Sequence, residues 1–105
     1  MSQFKHLNPN DAISLIETGA NIVDIRDAQS YQQSHISSAY NLNNDNLHVF
    51  LQQADLNTPL IVCCYHGISS QSAADYLASQ GFSDVYSLDG GFEQWRIQYP
   101  DHCES

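Results

Sequence analysis

Cys64 stands where a thiol can react. It follows a short apolar run, Pro59-Leu60-Ile61-Val62-Cys63, that reads as a buried strand. It opens the segment Tyr65-His66-Gly67-Ile68-Ser69-Ser70, and the next residues, Gln71 to Ala78, read as a helix. The thiol is therefore expected at the carboxyl end of a strand, in a glycine-containing turn, at the mouth of a helix. In open α/β sheets that is where ligands bind. Helix N-termini and curled backbone amides favour anions. The same field lowers a thiol pKa and supplies thiolate, the nucleophilic form. The chemistry in view is a cysteine nucleophile that attacks an anionic or electrophilic substrate. The segment holds no Lys or Arg, so an anion there must be held by backbone dipoles. Read from these residues alone, an ordinary core cysteine is the competing interpretation.

Short apolar runs alternate with helical patterns along the chain. That alternation predicts an α/β fold, with a central, mainly parallel sheet of about five strands flanked by helices on both faces. Strands are expected at Phe4-Leu7, Asn21-Ile25, Ala39-Leu42, Pro59-Cys63 and Val85-Leu88. Asn8, Pro9 and Asp11 suit the start of a first helix, which Gly19 ends. Asp27 is expected to cap a short helix through Gln33, and Asn44 one that carries Leu47, Phe50, Leu51 and Ala54. Ile68 to Gln80 forms the helix after the cysteine segment, and Gly90-Gly91 turns into a last helix, Phe92 to Ile97.

The chain has 105 residues, which is the size of one domain. The reading is a single domain over 1–105, with a core of roughly residues 4 to 99 and a mobile tail, 100–105. Lys5, Arg26 and Arg96 are the only fixed cations against a net charge of −9. Such a surface repels nucleic acid and anionic membranes, so neither is expected as a partner. The N-terminus, Met1 to His6, lacks a charged region followed by an apolar core, and a cytoplasmic protein is expected. Three cysteines, 63, 64 and 103, argue against a disulfide framework, and no His/Cys spacing suggests a metal site.

Three segments together resemble the rhodanese family. Val23-Asp24-Ile25-Arg26-Asp27, followed by Ser34-His35-Ile36-Ser37-Ser38-Ala39 and Asn41, is similar to its V-D-x-R and G-H-I-x-G-A-x-N patterns, with serine at both glycine positions. The cysteine segment is the second, and Leu88-Asp89-Gly90-Gly91-Phe92-Glu93-Gln94-Trp95, close to G-G-x-x-x-W, is the third. The resemblance implies a rhodanese-like fold and thiosulfate:cyanide sulfurtransferase activity. Cys64 would take the outer sulfur of thiosulfate as a persulfide and release sulfite. Cyanide, or a dithiol such as thioredoxin, would then accept the sulfur. No metal or organic cofactor is implied. The alternatives are a non-enzymatic rhodanese module or protein-to-protein sulfur relay, a phosphatase or arsenate reductase, and a thiol sensor using Cys63 and Cys64. A phosphatase needs Arg to bind a dianion, and here Ser69 and Ser70 stand in its place.

On this reading Cys64 is the catalytic residue, and Tyr65, His66, Gly67, Ile68, Ser69 and Ser70 form the substrate-binding loop. Their amides would cradle the persulfide. Tyr65 reads as a pocket wall, and His66 as lining the pocket or shaping the loop. Gly67 allows an unusual backbone turn. Ser69 and Ser70 either donate to the sulfur or cap the helix. Cys63 should point into the core, because side chains alternate along a strand. Cys103 reads as a free thiol in the tail, Asp24 and Arg26 as a structural ion pair, and Trp95 as a core anchor.

Overall fold

The computed structural model describes residues 4–105. Met1, Ser2 and Gln3, on which the reading of the N-terminus partly rests, lie outside the described residues. The chain runs β1 (Phe4–Leu7), α1 (Pro9–Glu17), β2 (Asn21–Asp24), α2 (Ala28–Gln33), β3 (His35–Ile36), β4 (Tyr40–Asn41) and α3 (Leu47–Gln53). It continues through β5 (Leu60–Cys63), α4 (Ser69–Ser79), β6 (Val85–Leu88), α5 (Gly91–Gln98), a 3₁₀ turn (Pro100–His102) and β7 (Cys103–Glu104). Five strands form one sheet in the order β1-β6-β5-β2-β4, and all its pairs are parallel.

The period-2 alternation of side chains builds a core on each face. Ile61 and Cys63 of β5 and Ile22 of β2 pack on one side with Ala12 of α1 and with Phe92 and Trp95 of α5. Leu60, Val62 and Val23 pack on the other with Ala74 and Leu77 of α4 and with Phe50 of α3. Because both faces are covered, β5 is buried along its whole length, as its continuous apolar run requires. Cys63 therefore lies in the α1–α5 core with no exposed surface, and burial pushes its thiol pKa well up.

Local signals set the first two helix starts. Asn8 accepts from the Asp11 amide at 2.8 Å, with Pro9 opening α1. Asp27 accepts from the Ser30 amide at 3.1 Å. The expected Asn44 cap is corrected: α3 begins at Leu47, after Asn46. Asn43 Oδ1 accepts from the amides of Asp45 and Asn46, and Asn46 Oδ1 accepts from the amide of Asn43. Side chains that hydrogen-bond their neighbours' backbone stabilise a turn in place of a first helical turn.

The tail is also corrected. Instead of a mobile end, Cys103–Glu104 pairs antiparallel with His35–Ile36, a short ribbon that the sequence reading missed on both sides. The Ser37 amide donates to His102 O at 2.9 Å, and Trp95 Nε1 donates to the same oxygen at 3.3 Å. Cys103 is half-buried against the α1–α5 core, and burial raises its thiol pKa. Asp24 and Arg26 form the expected buried ion pair, with Nη2 to Oδ2 at 2.8 Å. Among the described residues no helix is long and apolar enough to cross a membrane.

Candidate active site

Cys64 follows the carboxyl end of β5, and the loop 65–68 carries the chain to α4. The backbone amides of Gly67 and Ser70 both point at Cys64 Sγ, each from 3.2 Å. Ser70 is the second residue of α4, so its amide is one of the donors that a helix leaves without an internal partner. No side chain caps this helix; the sulfur takes that place. Cys64 is only 3% exposed, so a reactant meets the sulfur as a recessed tip.

The balance of forces on the thiol favours the anion. Burial, the largest influence, raises its pKa. The Ser70 hydroxyl and the amides of Ser70, Gly67 and His66 lower it by more, and the net pKa falls below that of an ordinary cysteine. Hydrogen bonds to the charged form, not a neighbouring cation, thus account for the shift. A low-pKa thiol ringed by donors can act as a nucleophile, and it can leave readily when it is the departing group.

The loop is braced from outside by the start of α5. Its amides at Phe92 and Glu93 donate to the carbonyls of Cys64 and Tyr65, at 2.8 and 3.1 Å. Two loop carbonyls are thereby turned outward to satisfy a second helix N-terminus. The approach is close: a Cβ on Gly91, whose φ is +58°, would stand 2.5 Å from Tyr65 O and 2.6 Å from Cys64 O. Gly67, with φ +84°, packs the loop on the backbone of Gly90 and Leu88. Both positions need glycine for conformation and for space. Here the Gly90-Gly91-Phe92 segment of the sequence acquires its role.

The other residues of the expected loop divide. Gly67 and Ser70 converge on the sulfur, and the amide of His66 adds to them. The His66 side chain is exposed. Ile68 projects into solvent at 73% exposure, and Ser69 is exposed and caps nothing. Tyr65 is turned sideways: its hydroxyl donates to Asp27 Oδ1 and lies 3.0 Å from Ser30 Oγ. The Tyr65 bond, with those that the Ser30 amide and hydroxyl donate to Asp27, holds its carboxyl down at about 2. Arg26 stacks beneath, with its guanidinium 4.2 Å from the Phe92 ring centroid and 5.7 Å from that of Tyr65.

Three contributors to the site escaped the sequence reading. Asp27 and Ser30 reach the loop from 38 and 35 residues away, a distance at which no local pattern speaks. Ser87 is fully buried and lies with its Oγ 2.7 Å from Ser70 Oγ; its signal was a hydroxyl inside an otherwise apolar strand. A cleft of about 490 Å³ opens nearby between Asn41, Asn43, Ser72 and Tyr76, but Cys64 does not line it. The donors of the loop, the amides of Gly67 and Ser70, converge instead on the Cys64 sulfur.

Comparison with known proteins bears on the family and the fold. The family model described as a rhodanese-like domain matches residues 8–98. A Pseudomonas fluorescens Pf-5 protein named thiosulfate sulfurtransferase GlpE is 60% identical over 100 residues, which cover 95% of this chain and 92% of that protein. A Shewanella oneidensis protein of the same name is 58% identical over 96 residues, 90% of this chain and 95% of that one. Among solved structures, a rhodanese-related protein from Thermoplasma volcanium superposes with a TM-score of 0.77 at 21% identity, covering 91% of this chain and 94% of its own. That likeness bears on the fold.

Proposed function

The chain belongs to the rhodanese-like family, and from that premise we propose that it is a thiosulfate sulfurtransferase with Cys64 as its sulfur carrier. The observation that carries the mechanism is the convergence of two backbone amides on Cys64 Sγ at 3.2 Å. The naming of relatives at 60% and 58% identity supports the reaction class.

In the first half-reaction, the Cys64 thiolate attacks the outer sulfur of thiosulfate. The sulfur–sulfur bond of the donor breaks, and sulfite departs with its electron pair. Cys64 is left as a persulfide whose terminal sulfur carries the negative charge. In the second half-reaction, an acceptor nucleophile attacks that terminal sulfur. The bond to Cys64 breaks, and the electron pair returns to Cys64 as thiolate. With cyanide the product is thiocyanate. With a dithiol acceptor such as thioredoxin, the sulfur passes to one thiol, and the second thiolate displaces it as hydrosulfide while a disulfide forms. One transfer becomes two displacements, as covalent catalysis allows.

The amides serve both halves. They stabilise the attacking thiolate, the persulfide anion, and the thiolate that leaves. The same hydrogen bonds lower the thiol pKa and so favour the thiolate. Tyr65, His66, Gly67, Ile68, Ser69 and Ser70 make up the binding loop, Gly67 and Ser70 through amides and Tyr65 and Ile68 as its rim. The exposure of Ile68 beside the thiol favours a protein as one partner of the exchange.

The test is an intact mass. Reduced protein is incubated with excess thiosulfate and freed of small molecules. A gain of one sulfur atom is expected, lost on treatment with cyanide and absent in Cys64→Ser. A folded protein with a titratable Cys64 and no mass gain would remove thiosulfate as the donor.

A further inference from the structure

We propose that Ser87 is a positioning residue for the nucleophile: its hydroxyl donates to Ser70 Oγ and so commits the Ser70 proton to the Cys64 sulfur. The proposal deepens the sulfur-transfer reading and rests on it for its purpose.

Ser87 lies in β6, in register with Val62 of β5 and His6 of β1. On its face of the strand, Val85 packs into the α4 core with Leu60 and Val62. A hydroxyl there is out of keeping with its neighbours, and Ser87 has no exposed surface. Ser70 has none either. Their oxygens are 2.7 Å apart. Among the described residues, neither hydroxyl has another hydrogen bond of regular geometry.

Counting protons sets the direction. Each hydroxyl has one proton, and one of the two lies between the oxygens. If Ser70 were the donor, the Ser87 proton would be buried without an acceptor, a costly state. If Ser87 is the donor, the Ser70 proton is free. Its natural acceptor is the sulfur on which the amide of the same residue already converges. An oxygen that accepts a hydrogen bond becomes a better donor, since chains of hydrogen bonds polarise one another. The Ser70 hydroxyl is in fact the foremost of the groups that lower the Cys64 pKa.

The gain falls at the step where Cys64 leaves. When the acceptor takes the terminal sulfur, charge returns to Sγ, and a donor aimed at Sγ eases that departure. The attack on thiosulfate benefits less, because a more stabilised thiolate is also a weaker nucleophile. Ser87 should therefore matter more for unloading than for loading.

The charged and titratable groups around the loop are few. Cys63 faces the opposite core, and His66 is exposed. Arg26 and Asp27 lie beyond the Tyr65 ring. Glu93 pairs with Arg96 on α5, and His6 pairs with Asp89 at the end of β6. Ser87 substitutions leave all of them in place, so a titration of Cys64 reads the hydroxyl.

The thiolate is titrated by its ultraviolet absorbance and by the rate of alkylation with iodoacetamide, in the reduced full chain. For Ser87→Ala the midpoint is expected to rise by about half a pH unit, roughly a threefold loss of thiolate below the midpoint. Ser70→Ala should raise it by about one unit, roughly tenfold. The double variant should rise no further than Ser70→Ala alone, and Ser87→Thr should restore the parental midpoint. Release of sulfur from the preloaded persulfide to cyanide should slow more than loading. A folded Ser87→Ala protein with the parental midpoint, or an effect that adds in full to that of Ser70→Ala, overturns the relay. If Ser87→Ala does not fold, Ser87→Thr against Ser87→Val makes the same comparison. Sulfur loading with an unmoved titration overturns the relay and leaves the transfer reading standing. A moved titration without loading supports the relay and counts against thiosulfate.

Discussion

Replacing Gly91 by alanine should damage the Cys64 loop without touching Cys64. The new Cβ would stand 2.5 Å from Tyr65 C and O and 2.6 Å from Cys64 O, where ordinary contact begins at 3.4 Å. All three are backbone atoms, so no side chain can swing aside. Loop and helix must part by about 1 Å, which breaks contacts that a dense interior cannot remake. The φ of +58° adds left-handed strain of about 1–2 kcal/mol. The two bonds that join α5 to the loop, from the amides of Phe92 and Glu93, contribute about 1 kcal/mol each. Reduced freedom of the unfolded chain returns about 0.4–1 kcal/mol. The net loss is about 3 kcal/mol, a large share of the ~5–15 kcal/mol that holds a domain folded. For a chain of this size that lowers Tm by about 15 °C. The loop amides also lose their aim, so the Cys64 thiol should titrate closer to the ordinary value. Thermal melting by circular dichroism gives the first quantity, and the pH dependence of iodoacetamide alkylation gives the second. A Gly91→Ala protein that melts within a few degrees of the parent and keeps its thiol midpoint would refute the bracing of the loop by α5.

Cys64→Ser should abolish sulfur transfer. Cys63→Ser should retain most of it at a stability cost of about 1 kcal/mol, since its side chain lies in the other core; activity assays with melting curves separate the two. His66→Ala should stay within about twofold of the parent in turnover, because its exposed ring makes no contact with the sulfur. The Asp27 carboxyl, held at about 2 against an ordinary 3.8, favours the folded state when ionised. Its contribution is complete above about pH 4 and is lost as the pH falls through 2, so Asp27→Asn and the parent should converge in stability over that interval. Tyr65→Phe removes the largest cause and should return the carboxyl toward 3.8, which carboxyl NMR titration would follow. Deleting Cys103–Ser105 removes the partner of β3 and should lower stability by about 2 kcal/mol in denaturant unfolding.

Much of this molecule was legible because its signals are local. The strand-turn-helix around Cys64 is contained in about twenty consecutive residues, and the apolar run of β5 required burial on both faces. The placement of Cys63 away from Cys64 followed from alternation alone. The first two helix starts followed from Asn8 and Asp27 as caps. The start of α3 did not, because a run of asparagines offers several competing turns, and only the packed chain selects among them. The ribbon of β3 and β7 was hidden for a plainer reason: each strand is two residues long, too short for any period to register.

What the sequence determined by itself is therefore the place of Cys64 at a strand end, its turn, and the parallel sheet that presents it. Those depend on contacts within a few residues and on hydrophobic spacing. What only the tertiary structure decided is which groups tune that thiol. The carbonyls of Cys64 and Tyr65 are turned outward by amides 28 residues further along the chain. Tyr65 is tied to Asp27, and Ser70 meets Ser87. These are single polar contacts between distant segments, each a matter of tenths of an ångström. No periodicity encodes them; they exist because the packed sheet and helices bring those atoms within hydrogen-bonding distance.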